Sequence, residues 1–376
     1  MYDRKAKLIA GKSSFLLGPR GTGKSTWVKL NHPQSDYIDL LHNQTFNTLL
    51  ADPDRLETYI NNPEKPIIID EVQKVPALLN TVHRLIENNS YKFILTGSSA
   101  RKLRREGVNL LAGRAYTKNF HPLTVVELGE DFSLEFSLQN GFLPSVFSDP
   151  SPKDYLSSYV TTYLREEVQQ EGLVRNLANF SRFLEAASFS QASVVNISNV
   201  AADCSINRRV ASEYFNLLED LLIGYRLPVF QRKAKRKLLS QPKFYFFDCG
   251  VYRAIRPTGP LDEVSEIEGL ALESMVFQQL RAINDNNELG YQLYFWRTKE
   301  KVEVDFVLYG ENGFIALEVK RSDSYRRTDL KGLKLFKKDY PQARCILLYL
   351  GKEKRSEDGI EVLPLEDFFR EILKYL

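Results

Sequence analysis

The sequence of 376 residues is too long for one ordinary hydrophobic core and implies two or three domains. A hydrophobic share of 43% beside 26% charged residues excludes a disordered chain, and a formal charge of +3 excludes attraction of the whole molecule to nucleic acid or membrane, so any basic patch has to be local. Cys204, Cys249 and Cys345 are too scattered for a zinc site or a disulfide framework, and no apolar run approaches the roughly 20 residues that span a bilayer. With a charged first segment that lacks a signal-peptide core, these features imply a cytoplasmic protein with no membrane partner.

In chain order, a short apolar run, Ser14 to Leu17, enters Gly18-Pro19-Arg20-Gly21-Thr22-Gly23-Lys24-Ser25-Thr26, and a helical stretch follows. That is the GxxxxGK[ST] phosphate loop in its required setting of strand, loop and helix. The spacing predicts an ATP site: glycines curl the backbone so that N–H groups face phosphate, Lys24 reaches the β/γ-phosphates, and Ser25 ligates Mg²⁺. A second strand is expected at Tyr37 to Leu40. The β-branched run Pro66 to Ile69 then reads as a buried parallel strand ending in Asp70-Glu71. Asp70 suits a ligand of the nucleotide-bound Mg²⁺, and Glu71 suits the residue that polarises the attacking water.

The next strand, Lys92 to Thr96, runs into Gly97-Ser98-Ser99, which makes Ser98 the candidate γ-phosphate sensor. Farther on, Leu111-Ala112-Gly113-Arg114 places a cation before another strand. Arg114 reads either as a finger completing the site of a second copy, which requires a homo-oligomer, or as a salt-bridged surface arginine.

These residues resemble the AAA-type P-loop ATPases, in particular a prokaryotic branch with Asp70-Glu71-Val72-Gln73 after the Walker B strand. The later Leu111 to Arg114 segment matches it too, as does His121-Pro122-Leu123-Thr124 leading to Glu127. The resemblance covers essentially the whole chain. It implies that the ATPase is joined to a C-terminal region known as a domain of unknown function.

From about Asp149 the apolar spacing turns helical, with one buried face over Tyr155 to Gln169 and another over Phe180 to Phe189. Asn196 to Cys204 and Asn207 to Leu222, split by a tight turn, describe a helix-turn-helix with Arg208 and Arg209 early on the second helix. Two strands of a hairpin are expected at Tyr225 to Phe230 and Lys243 to Phe247. Between them Arg232, Lys233, Lys235, Arg236 and Lys237 form a basic wing suited to DNA phosphates. The other reading is a solvated tip on a module that makes protein contacts.

In the last third, a helix over Gly269 to Ile283 carries Glu273. Alternation along Lys301 to Val307 and Phe314 to Lys320 puts Asp305, Glu318 and Lys320 on strand faces that can meet. Hard carboxylates of this kind suit Mg²⁺ or Mn²⁺, with Lys320 orienting or deprotonating a water; an ion cluster without catalysis is the other reading. Helix Glu273, strand Asp305 and Glu318-Val319-Lys320 look like the PD-(D/E)xK restriction-endonuclease-like superfamily, which implies a metal-dependent nuclease domain.

The expected fold class is α/β, with a parallel-sheet ATPase domain at 1–148, a helical and winged-helix segment at 149–248, and a restriction-endonuclease-like α/β domain at 249–376. The function expected from it is Mg²⁺-dependent ATP hydrolysis coupled to DNA engagement, with nuclease activity in the last domain. The alternatives are an ATP-controlled scaffold whose nuclease-like domain is inactive, and a sequence-specific regulator using the helix-turn-helix.

Overall fold

A computed structural model describes residues 2–99, 110–170, 176–232 and 237–376. The chain packs as two compact units, Asp3–Leu123 with Asp220–Ile223, and Thr124–Glu219 with Gly224–Leu376.

The first unit is built on five parallel strands, β1 (Ser13–Leu17), β2 (Tyr37–Asp39), β3 (Ile67–Asp70), β4 (Phe93–Gly97) and β5 (Ala115–Asn119), ordered β2-β3-β4-β1-β5. Its central strands are apolar at successive positions because both faces are covered. Phe15, Leu17, Ile67, Ile69, Phe93 and Leu95 share one core with Leu49 of α2 (Asn43–Ala51) and with α3 (Leu78–Asn89). Leu16, Ile68 and Ile94 share the other with Trp27 and Val28 of α1 (Lys24–Asn31). All strands run the same way, so the C-terminal ends of β1, β3 and β4 collect the phosphate loop, Asp70 and Gly97 at one sheet edge, where open α/β sheets bind ligands.

In the second unit, α4 (Leu134–Asn140), α5 (Pro152–Ser158), α6 (Leu164–Gln170) and α7 (Leu177–Ser188) precede a small module. That module is β6 (Ser193–Val194), α8 (Ile197–Asp203), α9 (Arg208–Asp220), β7 (Gly224–Leu227) and β8 (Lys243–Phe246), its antiparallel sheet ordered β6-β8-β7. A six-stranded mixed sheet follows. It comprises β9 (Gln292–Arg297), β10 (Glu303–Gly310), β11 (Gly313–Lys320), β12 (Arg344–Tyr349), β13 (Arg355–Glu357) and β14 (Ile360–Pro364), in the order β13-β14-β12-β11-β10-β9. Around it are α10 (Cys249–Ile255), α11 (Val264–Asn286) and α12 (Lys331–Asp339). At Gly332 a Cβ would stand 1.9 Å from the Glu303 carbonyl oxygen, so only glycine lets α12 lie this close to β10.

The structure departs from the sequence expectations in three places. Residues 124–148, grouped by sequence with the ATPase domain, pack in the second unit. There Thr124 and Glu127 of the His121-to-Glu127 segment form a capping box, with the Thr124 hydroxyl accepting from the Glu127 N–H and the Glu127 carboxylate from the Thr124 N–H. The helix expected over Tyr155 to Gln169 is interrupted by a π turn, Tyr159–Tyr163.

The third departure concerns the basic wing. Lys233, Lys235 and Arg236 lie outside the described residues, and the flanks of the connection are stitched onto β9 instead of forming a free hairpin. The Phe230 N–H donates to the Phe295 carbonyl at 2.7 Å, the Leu239 N–H to the Arg297 carbonyl at 3.2 Å, and Phe230 is buried in the core beneath the large sheet. An exposed edge strand is a template for pairing, and β9 has found its partner here.

Among the described residues, no helix is long and apolar enough to cross a membrane.

Candidate functional site

In the phosphate loop, Gly21 (φ 82°) and Gly23 (φ 91°) hold left-handed backbone that side chains resist, which is the curl an anion cradle needs. Lys24, 4% exposed, folds its ammonium back onto the carbonyls of Gly18 (2.7 Å) and Pro19 (3.1 Å). Arg20 and Thr26 sit at the rim, half-buried and exposed. The Ser25 hydroxyl donates to Asp70 Oδ1 at 3.1 Å, so the two oxygens expected to hold Mg²⁺ already adjoin. Asp70, itself buried, also accepts from the hydroxyls of Thr96 on β4 and Tyr37 on β2. Burial and the hydrogen bond to Asp70 push the Tyr37 phenol well above its ordinary range, so it stays a donor. This donor set, a hydroxyl and a carboxylate locked by two further hydroxyls, fits a hard cation.

Glu71 occupies left-handed backbone (φ 61°), a strained position for a side-chain-bearing residue. Its N–H is tied to Thr96 Oγ1 at 3.1 Å. The side-chain amide of Gln73 hydrogen-bonds both the Glu71 carboxylate and, at 2.9 Å, the Ser98 hydroxyl, so one residue joins the candidate water-activating group to the candidate sensor. Arg114 is paired with Glu87 on α3 of the same unit, and the guanidinium holds the Glu87 carboxyl below its usual range.

Sequence reasoning missed Gln73, Tyr37 and Thr96 as partners of this site. The signal for Gln73 was present in Asp70-Glu71-Val72-Gln73. Nothing in the sequence pairs Tyr37 or Thr96 with Asp70, because those contacts cross between parallel strands.

The second constellation surrounds a residue that the sequence reading also missed. Lys243 opens β8 and is 2% exposed. Its Nζ lies 2.9 Å from Glu273 on α11 and 3.5 Å from Asp305 on β10, and forms an ion pair with Glu303. Glu273 also accepts from the Tyr245 hydroxyl at 2.6 Å, and Asp305 Oδ2 from the Val319 N–H at 2.9 Å. A register shift in the β9–β10 pairing between Val304 and Val307 brackets Asp305, the irregularity that re-aims a strand side chain. On β11, Lys320 pairs with Glu318 Oε1 at 2.7 Å, while Glu318 Oε2 is buried without a hydrogen-bond partner.

Electrostatics follow from burial. Desolvation and the neighbouring Asp305 charge push the Glu273 carboxyl up to about 7. Burial and Asp305 likewise raise Glu318 well above the carboxylate range. Burial opposes the charge on Lys243, but Glu273, Tyr245, Asp305 and Glu303 outweigh it and hold the ammonium protonated. Burial also opposes the Lys320 charge, and Glu318 and Asp305 again win.

Glu273, Asp305 and Glu318, expected as metal ligands, are gathered as an ion cluster on lysines. Among the described residues no group of three or more His, Cys, Asp or Glu side chains is arranged to hold a metal ion. On α9, Arg208 and Arg209 are exposed, with Arg209 paired to Glu213 at 3.1 Å. The Arg232 guanidinium lies 4.7 Å over the Tyr309 ring, and Lys237 is exposed.

Comparison with known proteins divides the chain in three. An AAA domain family matches residues 10–129, a domain of unknown function (DUF8612) residues 132–262, and another (DUF4143) residues 268–368. An uncharacterized protein of Mycobacterium tuberculosis is 26% identical over 93% of this chain and 79% of its own length. One of Methanocaldococcus jannaschii is 25% identical over 97% and 87%, and one of Haemophilus influenzae 23% identical over 96% and 91%. Among solved structures, the ORC1 protein of Aeropyrum pernix in complex with DNA superposes with a TM-score of 0.27 at 14% identity, covering 65% of this chain and 86% of that one. Protein VC1899 of Vibrio cholerae gives a TM-score of 0.24 at 12% identity over 96% and 97%. By the family models that match it and by the parallel sheet that carries its phosphate loop, the N-terminal part of this chain is similar to AAA-type, P-loop ATPase-like domains, and its C-terminal part matches DUF4143.

Proposed function

We propose that the protein is a Mg²⁺-dependent ATPase acting as a nucleotide switch, and that its second unit engages DNA. The observation that carries this reading is the meeting of Lys24, Ser25, Asp70 and Glu71 at one edge of the parallel sheet. Bound Mg·ATP supplies the electrophilic phosphorus. Lys24 leaves the Gly18 and Pro19 carbonyls for the β/γ-phosphates, and Ser25 and Asp70 hold the Mg²⁺. Glu71 orients the attacking water, Ser98 reads the γ-phosphate, and Arg20 to Gly23 contribute backbone N–H groups. Arg114 reaches the nucleotide of a second copy only after leaving Glu87.

In the second unit, α8, α9 and the β7–β8 pair make a winged helix, and Arg208 and Arg209 on α9 contact phosphate. Residues 249–376 take the PD-(D/E)xK arrangement of helix Glu273, strand Asp305 and Glu318-Val319-Lys320. The scaffold reading, in which this unit makes protein contacts, is favoured by the anchoring of the wing's flanks on β9.

The test is ATP turnover with and without duplex DNA across a salt series. DNA engagement predicts stimulation that falls with salt, with a salt slope reduced by about 1 in each of Arg208→Ala and Arg209→Ala. Turnover indifferent to DNA supports the scaffold reading; no turnover at all rejects the ATPase.

A further inference from the structure

The carboxylate cluster of the second unit is crowded for a metal site. A small divalent ion such as Mg²⁺ demands about six oxygens near 2.1 Å in octahedral array. Here three of the four carboxylates converge on one ammonium, and a lysine has three N–H donors to give, matching Glu273, Glu303 and Asp305 in number. Their remaining capacity is largely taken, by Tyr245 on Glu273, Arg297 on Glu303 at 3.0 Å, and the Val319 N–H on Asp305. Lys243 and Tyr245 share one oxygen of Glu273, and Glu318 Oε2 is buried without a hydrogen-bond partner.

Lys243 is not a wandering surface chain. It is 2% exposed, and its backbone is fixed in β8 by pairing with Val194 and Leu227. Its ammonium lies 5.6 Å from the Phe295 ring centroid, which adds a weakly attractive apolar wall.

We propose that Lys243 is the resident cation of this centre. Its ammonium takes up two of the carboxylates, Glu273 and Asp305, that the PD-(D/E)xK resemblance assigns to Mg²⁺ or Mn²⁺, so the cluster excludes a divalent ion, and removing the lysine opens a divalent-cation site at Glu273, Glu303 and Asp305. The consequence is a nuclease-like centre that is silent as folded, its charge neutralised from a strand of the neighbouring winged module. The inference stands apart from the ATPase reading, because it concerns only residues of the second unit.

The experiment is a Mn²⁺ titration of the full chain without nucleotide, followed by electron paramagnetic resonance and isothermal calorimetry. An Asp70→Asn background removes the carboxylate that the phosphate-loop site offers a metal. Four proteins are compared: this background alone, and the background with Asp305→Asn, with Lys243→Met, and with Lys243→Met plus Asp305→Asn. The background is expected to show no saturable Mn²⁺ site. Lys243→Met should gain one site per chain, roughly 100-fold tighter than any residual binding, and lose it again with Asp305→Asn.

A saturable site in the background that Asp305→Asn removes overturns the proposal. So does a folded Lys243→Met that binds no Mn²⁺. If Lys243→Met fails to fold, the background and its Asp305→Asn variant still decide whether the metal is excluded. Lys243→Arg, which keeps the charge, must then remain without a site.

Discussion

Each unit holds a buried lysine, and the two lysines sit on different partners. Lys24 rests on two neutral carbonyls of its own loop, while the nearby Asp70 is satisfied by hydroxyls. Carbonyls release an ammonium to a polyphosphate at small cost, because the lysine exchanges a dipole for a full charge. Lys243 instead rests on three carboxylates, and withdrawing it would strand several buried negative charges. The contrast separates a site poised for a ligand from a centre that already holds its counter-ion.

The largest test of that contrast is the stability of Lys243→Met. Deleting one partner of a buried ion cluster leaves charges uncompensated, and the loss expected in chemical denaturation is about 3–5 kcal/mol. Lys24→Met, whose partners are carbonyls at the rim of a loop, should cost less than about 1.5 kcal/mol. Equal losses would erase the distinction.

Next in size is Glu71→Gln. It should bind ATP as tightly as the wild type while turnover falls roughly 100- to 1000-fold, measured by nucleotide retention beside phosphate release. Normal turnover would remove Glu71 from the chemistry.

Glu273→Gln probes the other region by pH. The folded-state value of Glu273 is raised from 4.5 to about 7, so stability from its neutral form is complete below pH 4.5 and lost as pH rises through 7. The variant and wild type should match near pH 4. Above pH 7 the variant should be the more stable, by up to about 3 kcal/mol, in denaturant titrations at each pH. A wild type that gains on the variant as pH rises reverses the sign and rules out this account of the cluster.

The smallest expected effect is that of Gln73→Ala. Gln73 positions Glu71 and Ser98 and does not touch nucleotide in this account. Loss of its amide should lower kcat about tenfold and leave KM for ATP unchanged, and Ser98→Ala should add little in the double variant. A change confined to KM would move Gln73 into nucleotide binding.

The two regions also differ in how legible they were in sequence. The phosphate loop and the Asp70-Glu71 pair are contiguous motifs whose chemistry dictates the spacing, so Lys24, Ser25, Asp70 and Glu71 could be placed before any fold was known. Strand phase likewise placed Asp305, Glu318 and Lys320 near one another. It could not place Lys243, because a lysine opening the run Lys243-Phe244-Tyr245-Phe246-Phe247 reads as an ordinary strand edge. Its partners lie 30 to 62 residues away on α11 and β10. The surroundings of the basic stretch were illegible for a related reason. A basic stretch between two strands looks like a solvated tip, and only the free edge of β9, a tertiary feature, reveals where its flanks go.

The most direct measurement is the Mn²⁺ stoichiometry of the wild-type chain in saturating ATP, beside Lys24→Ala and Asp305→Asn. The account predicts one Mn²⁺ per chain, present in Asp305→Asn and absent in Lys24→Ala. A second Mn²⁺ that persists in Lys24→Ala and vanishes in Asp305→Asn would contradict it, since the two lysines would then not differ in what they exclude.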